Sequence, residues 1–108
     1  MYRLYYISNV SPFFNPETLV ELCEKSAAKN RGLGIGGALI FNGTNFGQIL
    51  EGEKEQVLAL SEQISRDVRH TGYNIVKARD VSERYYKDWG MNLVQGFDFS
   101  ELENAIQA

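Results

Sequence analysis

The sequence is poor in the residues that build metal sites and disulfides, since it contains one cysteine, Cys23, and one histidine, His70. A single cysteine excludes an internal disulfide and the multi-cysteine zinc sites. A single histidine leaves histidine-based metal clusters and a hydrolytic triad incomplete. The sequence therefore predicts no metal centre, and we interpret Cys23 as a small, buried apolar residue of a helix.

An excess of positive charge is also missing, because the formal net charge is -3 at pH 7 and the pI is about 5.1. Proteins that bind nucleic acids or anionic membranes usually present a basic patch, which this composition does not favour. No apolar run approaches the roughly 20 residues of a membrane-spanning helix, and the N-terminus lacks the layout of a signal peptide. We therefore expect a cytoplasmic protein that binds neither nucleic acid nor membrane.

The composition does provide for one compact domain, with 44% hydrophobic and 23% charged residues in a chain of 108. Residue alternation predicts strands over residues 2–8, 37–42, 46–51 and 73–79, and a shorter one within 85–94. Helical spacing predicts one helix from residue 16 to about 32 and another from 54 to 68. The order β-α-β-β-α-β-β resembles a ferredoxin-like sandwich of the α+β class, a five-stranded mixed sheet with two helices on one face.

Local signals support the helix limits. Asn15 before Pro16 predicts a helix start, with the asparagine as N-cap and the proline at the first helical position. Gly32 predicts the end of that helix. The second helix has an apolar stripe formed by Val57, Leu60, Ile64 and Val68.

The domain is expected to cover residues 1–96, followed by a tail over 97–108. In that tail, Ser100 followed by Glu103 resembles a capping box and predicts the start of a helix. The tail alone is too short to form a domain.

Gln48 stands out because it interrupts an apolar strand. Phe46, Gln48 and Leu50 share one face of that strand, since strand side chains alternate. If this face forms the core, the Gln48 amide is buried and must find hydrogen-bond partners. An amide has an acceptor oxygen and a donor nitrogen, so it can take two arrangements in one pocket. We therefore interpret Gln48 as a candidate switch.

Other candidates are unremarkable when each is taken alone. Tyr6 fits an ordinary core tyrosine, and Asn30 fits a helix C-cap. Trp89 and Met91 fit core fillers. The segment of Asp67, Arg69 and His70 is read either as a basic helix end that complements the helix dipole or as a contact to the anionic or polyol end of a ligand.

The order in which these residues occur along the chain is more specific than any one of them. In sequence, the chain carries Tyr6-Ile7-Ser8, Asn30, Gly37, Phe46-x-Gln48-x-Leu50-Glu51-Gly52, Asp67-x-Arg69-His70 and Trp89-x-Met91. This pattern, over about residues 2–95, resembles the BLUF family of flavin-binding blue-light sensors. One departure is Gly47, which stands where the family commonly has a bulky residue, so we expect a looser strand face there.

The resemblance implies a flavin held between the two helices and against the sheet. Tyr6 would be the redox-active tyrosine and Gln48 the switching amide, with Trp89 and Met91 nearby on the output strand. The implied cofactor-binding residues are Tyr6, Ser8, Lys29, Asn30, Gln48, Arg69 and His70. The implied cofactor is FAD, with FMN and riboflavin as alternatives.

The resemblance also implies a mechanism. Tyr6 would give up an electron to the excited flavin, a proton would follow through the amide, and Gln48 would be left rotated or as a tautomer. A new hydrogen bond to a flavin carbonyl then moves the absorption to the red, and the change reverses in the dark.

We therefore predict a photosensory module without catalysis of its own. Its output would lie in a partner protein or in an effector domain outside this sequence, and the sheet could support a homo-oligomer. Two alternatives stay open at this point: a small flavin-dependent oxidoreductase, and a non-photoactive interaction domain of ferredoxin-like fold.

Overall fold

The computed structural model describes residues 1–87, 92–94 and 98–108. Its strands are β1 (Tyr2–Val10), β2 (Gly36–Phe41), β3 (Asn45–Gly52), β4 (His70–Asp80) and β5 (Asn92–Val94). Its helices are α1 (Leu19–Gly32), which follows a short 3₁₀ turn at Pro16–Thr18, α2 (Lys54–Ser65) and α3 (Ser100–Gln107). The predicted β-α-β-β-α-β-β order is confirmed, with a third helix added.

The five strands form one mixed sheet in the order β4-β1-β3-β2-β5. The neighbours are antiparallel except β2 and β5, which run parallel. This confirms the predicted α+β fold with a five-stranded mixed sheet. β1 and β3 are therefore neighbours in the interior of the sheet, and Tyr6 lies opposite Gln48 in their register.

The two faces of the sheet are covered by different helices. α1 and α2 pack on the face of Leu4, Leu39 and Leu50, as predicted. α3 packs on the opposite face, where its buried residues contact Ala38 and Ile49. The sheet is thus covered on both sides, and the C-terminal residues are part of the core.

The start and end of α1 follow from local chemistry. The side-chain oxygen of Asn15 accepts a hydrogen bond from the Glu17 amide at 3.1 Å, and Pro16 opens the first turn, as predicted. α1 ends at Gly32, and Gly34 then adopts a left-handed φ of 70°. In this ending the Asn30 carbonyl accepts the Ile35 amide at 2.9 Å, which fixes the last turn of the helix.

The predicted end of the second helix is wrong by three residues. α2 ends at Ser65, and Val68 is 69% exposed instead of belonging to the apolar stripe. The reason is Asp67, whose carboxylate accepts the Arg69 backbone amide at 2.9 Å and so favours a turn over another helical turn. Arg69 therefore follows the helix, and His70 begins β4.

β4 changes its pattern at a bulge. Tyr6 pairs with Ile75, whereas the adjacent Tyr5 pairs with Lys77, so Val76 is an extra residue. Beyond the bulge, Ala78 packs in the same cluster as Tyr6. Ala78 therefore continues the face that α1 and α2 cover.

Two expectations near α3 are corrected. Ser100 is the first residue of α3 and not its N-cap, because the Asp98 carboxylate accepts the Ser100 amide at 3.1 Å. The strand face at Gly47 is tight instead of loose. A Cβ placed there would lie 3.1 Å from both Leu102 Cδ1 and Phe99 Cδ2, so side chains of the α3 region fill this space. Within the described ranges, no helix is long and apolar enough to cross a membrane.

Candidate functional site

A cleft lies between α1 and α2, with the sheet as its floor, and its volume is about 430 Å³. This is within the usual range for small-molecule sites. Its apolar walls come from both helices and from the sheet, and they include Leu22, Cys23, Leu39, Phe46, Leu60 and Ile64. Polar and charged side chains line the rest of the cleft, so it offers apolar walls together with hydrogen-bonding groups, which suits a flat ligand with a polar edge.

Tyr6 and Gln48 meet on the floor of this cleft. They are register partners on β1 and β3, and the Tyr6 hydroxyl donates a hydrogen bond to Gln48 Oε1. Gln48 is only 6% exposed, so the predicted buried amide on the Phe46 and Leu50 face is confirmed. Because the amide also has a donor nitrogen, rotation or tautomerisation would change what it offers to Tyr6 and to the cleft.

The surroundings of Tyr6 keep its hydroxyl protonated. Burial raises the pKa of Tyr6 far above its ordinary value, and the neighbouring Tyr73 and Asp67 raise it further. The Tyr73 ring lies 4.6 Å from the Tyr6 ring, centroid to centroid, and the His70 ring lies 6.1 Å away. At neutral pH the phenol is therefore a hydrogen-bond donor to Gln48.

Asn30 presents an amide to the same cleft from α1. The residue is 2% exposed, and its backbone carbonyl is held by the amides of Leu33 and Ile35. Its side chain lines the cleft and has no hydrogen-bond partner among the described residues of the protein. The amide is therefore open to the cleft, which suits a ligand with a polar edge.

His70 and Ser8 form a separate pair at the side of the cleft. His70 Nε2 lies 2.5 Å from the Ile64 carbonyl, which can only accept, so this nitrogen carries the proton. His70 Nδ1 lies 2.7 Å from Ser8 Oγ. His70 lines the cleft, whereas Ser8 lies behind it and positions the imidazole.

Cationic groups stand at the rim. Lys29 Nζ donates to Gln63 Oε1 at 2.8 Å and so bridges α1 and α2. Arg69 forms an ion pair with Asp67, and its Nε lies 2.9 Å from Asp67 Oδ1. Hydrogen bonding to Arg69 holds the pKa of Asp67 below its ordinary value, against the opposing effect of burial. The rim therefore offers positive charge to an anionic group.

The structure thus gathers six of the predicted site residues around one cleft: Tyr6, Lys29, Asn30, Gln48, Arg69 and His70. Trp89 and Met91 lie outside the described residues. Sequence reasoning missed Gln63, an exposed residue of α2 whose place at the rim depends on how the two helices pack. It assigned Cys23 to the core, where it is indeed buried, but missed that Cys23 also lines the cleft. In the part of the chain that the structure describes, no cluster of histidine, cysteine and acidic residues could hold a metal ion.

Comparison with known proteins agrees with this geometry. Residues 1–92 match the family model described as BLUF, sensors of blue light using FAD. The chain is 33% identical over 77 residues to the photoactivated adenylate cyclase subunit beta of Euglena gracilis, which covers 71% of this chain and 9% of that protein. It is 36% identical over 72 residues to the blue light- and temperature-regulated antirepressor BluF of Escherichia coli strain K12, covering 67% of this chain and 17% of that protein.

The fold has solved counterparts as well. The structure of BlrP1 from Klebsiella pneumoniae, in complex with calcium and cyclic diGMP at pH 8.0, superposes with a TM-score of 0.83 at 31% sequence identity. The match covers 98% of this chain and 28% of that one. The chain therefore spans only a small part of these relatives. On the family match and these relatives, the chain belongs to the BLUF family of flavin-dependent blue-light sensors.

Proposed function

We propose that this chain is the light-sensing module of a blue-light signalling protein, with Tyr6 and Gln48 as its switching pair. The observation that carries the proposal is the hydrogen bond from the buried Tyr6 hydroxyl to Gln48 Oε1 on the floor of the cleft. Both partners can change what they donate or accept without leaving the site.

The residues of the cleft fit a flavin. A flavin ring is a flat apolar plate with a polar edge, and the cleft pairs apolar walls with two inward-facing amides, those of Asn30 and Gln48. The Asn30 amide has no protein partner among the described residues, which leaves it available to the polar edge of the ring. Lys29 and Arg69 are placed to receive a phosphate at the rim. We propose FAD as the natural cofactor, and FMN and riboflavin share the ring that this cleft accommodates.

A bound flavin supplies the absorption of blue light and, once excited, an acceptor for one electron. This chain supplies a phenol, Tyr6, that retains its proton in the dark because burial raises its pKa. It also supplies the amide of Gln48, which can present either its oxygen or its nitrogen to that phenol. The change consumes no side chain, so the dark arrangement can return thermally.

The output lies outside the switching pair. A neutral hydrogen bond contributes about 0.5–1.5 kcal/mol net, so its rearrangement changes a balanced equilibrium by roughly tenfold at most. We propose that the module has no catalysis of its own and acts on an effector, either in the same protein or in a partner. The names of the relatives, a cyclase subunit and an antirepressor, support an effector of variable kind. Self-association of the module is a further proposal.

The test is the visible spectrum of the FAD-loaded protein before and after blue light. We expect a red shift of about 4–11 nm near a band at about 450 nm, which corresponds to about 0.5–1.5 kcal/mol of hydrogen-bond energy. The shift should decay in the dark. Gln48→Leu should still bind flavin and lose the shift, whereas Gln63→Leu, which removes an amide at the rim, should keep it.

Three results would contradict the proposal. One is a colourless protein after reconstitution with FAD, FMN or riboflavin. Another is a wild-type photocycle in Gln48→Leu. The third is steady light-independent reduction of a dye with NADH, which would favour the oxidoreductase alternative.

A further inference from the structure

The strands of the switching pair carry a second side-chain pair three positions away. In the register of β1 and β3, Tyr6 lies opposite Gln48 and Arg3 lies opposite Glu51. Three positions along a strand reverse the direction of the side chain, so Arg3 and Glu51 lie on the face covered by α3. The same two strands therefore hold one polar pair under the cleft and another under the C-terminal helix.

The second pair is charged and buried. Arg3 is 2% exposed and Glu51 is 0% exposed, and Arg3 Nε lies 2.6 Å from Glu51 Oε2. The Glu51 carboxylate also accepts hydrogen bonds from two backbone amides: that of Tyr85 at Oε1 and Oε2, at 3.0 and 2.9 Å, and that of Tyr86 at Oε1, at 2.9 Å. Because a buried ion pair requires such additional hydrogen bonds, the pair fixes the segment that leads from β4 towards β5.

The other side of Arg3 holds the end of α3. Its Nη1 donates to the carbonyls of Ala105 at 2.9 Å and Ala108 at 2.7 Å. A cation at a helix C-terminus satisfies carbonyls that have no partner within the helix and interacts favourably with the helix dipole. Arg3 therefore connects β3, through Glu51, to the last turn of α3.

A second arginine provides a natural comparison. Arg79 on β4 donates to the carbonyls of Ile106 at 3.1 Å and Ala108 at 3.2 Å, at the same end of α3. Within the described residues, the Arg79 side chain donates hydrogen bonds only to these carbonyls at the end of α3. Arg79 therefore holds the helix without connecting it to Glu51.

We propose that Arg3 and Glu51 are positioning residues that couple the Gln48 strand to the packing of α3. The proposal rests on the light-driven rearrangement of Gln48 proposed above. A displacement of β3 at Gln48 reaches α3 by two contacts, the Arg3–Glu51 pair and the backbone of Gly47, against which Leu102 and Phe99 pack. A purely structural ion pair would instead stabilise α3 equally in the dark and in the light.

The experiment measures amide hydrogen exchange of α3 in the flavin-loaded full chain, in the dark and under steady blue light. In the unsubstituted protein we expect the exchange rates of α3 to differ between light and dark by up to roughly tenfold, the limit set by one hydrogen bond. Arg3→Lys and Glu51→Gln should bring that ratio close to one while the red shift of the flavin stays unchanged.

Arg79→Lys is the matched control. It should raise the exchange of α3 by the same factor in the dark and in the light, and so leave the ratio at its original value. If the single substitutions at Arg3 and Glu51 prevent folding, the double variant Arg3→Met/Glu51→Leu decides the question by the same ratio, because well-packed apolar residues often replace a buried ion pair.

The outcomes separate the two proposals. If Arg3→Lys and Glu51→Gln keep both the red shift and the light-to-dark difference in α3 exchange, the coupling is wrong and the photosensor proposal stands. The same holds if α3 exchange in the unsubstituted protein does not respond to light. Absence of any red shift in the unsubstituted protein overturns the photosensor itself.

Discussion

The two faces of the sheet differ in whether they leave room for a ligand. On the cleft face, the buried Asn30 amide has no partner within the described protein, and a cavity of about 430 Å³ separates the helices. On the opposite face, Arg3 and Glu51 are engaged by each other, by backbone amides and by helix carbonyls. One face therefore retains capacity for a ligand, whereas the other is closed and holds α3 in place.

The largest expected effect lies on the closed face. Glu51→Ala leaves the Arg3 guanidinium buried without its anion, so we expect a loss of about 3–5 kcal/mol in the free energy of unfolding. Glu21→Ala, which removes one partner of the exposed Lys25 ion pair, should change it by no more than about 1 kcal/mol. Urea unfolding of both variants without flavin measures the difference, and equal losses would contradict the contrast.

The second prediction compares one leucine on each face. Leu102→Ala opens a cavity under α3, which should cost about 2–5 kcal/mol. Leu60→Ala removes a wall of an existing cleft, so its cost should be smaller in the flavin-free protein and should rise when flavin is bound. Thermal unfolding with and without flavin tests this. If Leu60→Ala lowers stability by the same amount with and without flavin, the ligand does not bind in this cleft.

The third prediction concerns the tight contact behind Gln48. Gly47→Val forces new atoms against Leu102 and Phe99, so we expect a destabilisation of about 1–3 kcal/mol and faster exchange of α3. The Tyr6 and Gln48 side chains lie on the other face, so flavin binding should be retained. A flavin affinity that falls together with stability would show that the two faces are not separable in this way.

The fourth prediction sharpens the role of Asn30. Because its amide has no protein partner in the described structure, Asn30→Ala should leave the stability of the flavin-free protein nearly unchanged. It should weaken flavin binding about tenfold, the value of roughly one hydrogen bond. Fluorescence titration measures the affinity, and the exposed Asn104→Ala on α3 serves as the control, with unchanged affinity.

The smallest effect is a dependence on alkaline pH. Burial raises the pKa of Tyr6 above its ordinary value of 10.0, so the unfolded chain loses this proton before the folded protein does. The contribution of Tyr6 to stability is therefore complete below about pH 10 and falls as the pH rises above it. Tyr6→Phe should make that part of the stability profile less steep, with the raised pKa values of Tyr73 and Tyr86 accounting for the remaining slope, and an unchanged profile would contradict the assigned burial of the hydroxyl.

Much of the cleft face could be predicted because its signals are local. Alternation alone placed Gln48 on a buried strand face, and Asn15 with Pro16 placed the start of the first helix. The family resemblance then identified Tyr6 as the partner of that amide, which the register of β1 and β3 confirms.

The closed face could not be predicted in the same way, because its contacts join residues far apart in the chain. Arg3 and Glu51 are 48 positions apart, and nothing local marks them as partners. Gly47 predicts a loose strand face from the sequence, because the α3 side chains that fill the space next to it are distant in the chain. The Val76 bulge likewise depends on how β4 pairs with β1, which strand spacing does not encode. The turn made by Asp67 is a local contact, but a prediction based on the apolar stripe of α2 does not include it.

The most direct test of the central claim observes the amide of Gln48 itself. Light-minus-dark infrared spectra of the flavin-loaded protein, with and without isotope label in the glutamine side chains, report changes in amide hydrogen bonding. We predict an isotope-sensitive amide carbonyl band that is present in the unsubstituted protein and in Gln63→Leu and absent in Gln48→Leu. An isotope-sensitive band that persists in Gln48→Leu, or a flavin red shift with no such band, would contradict the account.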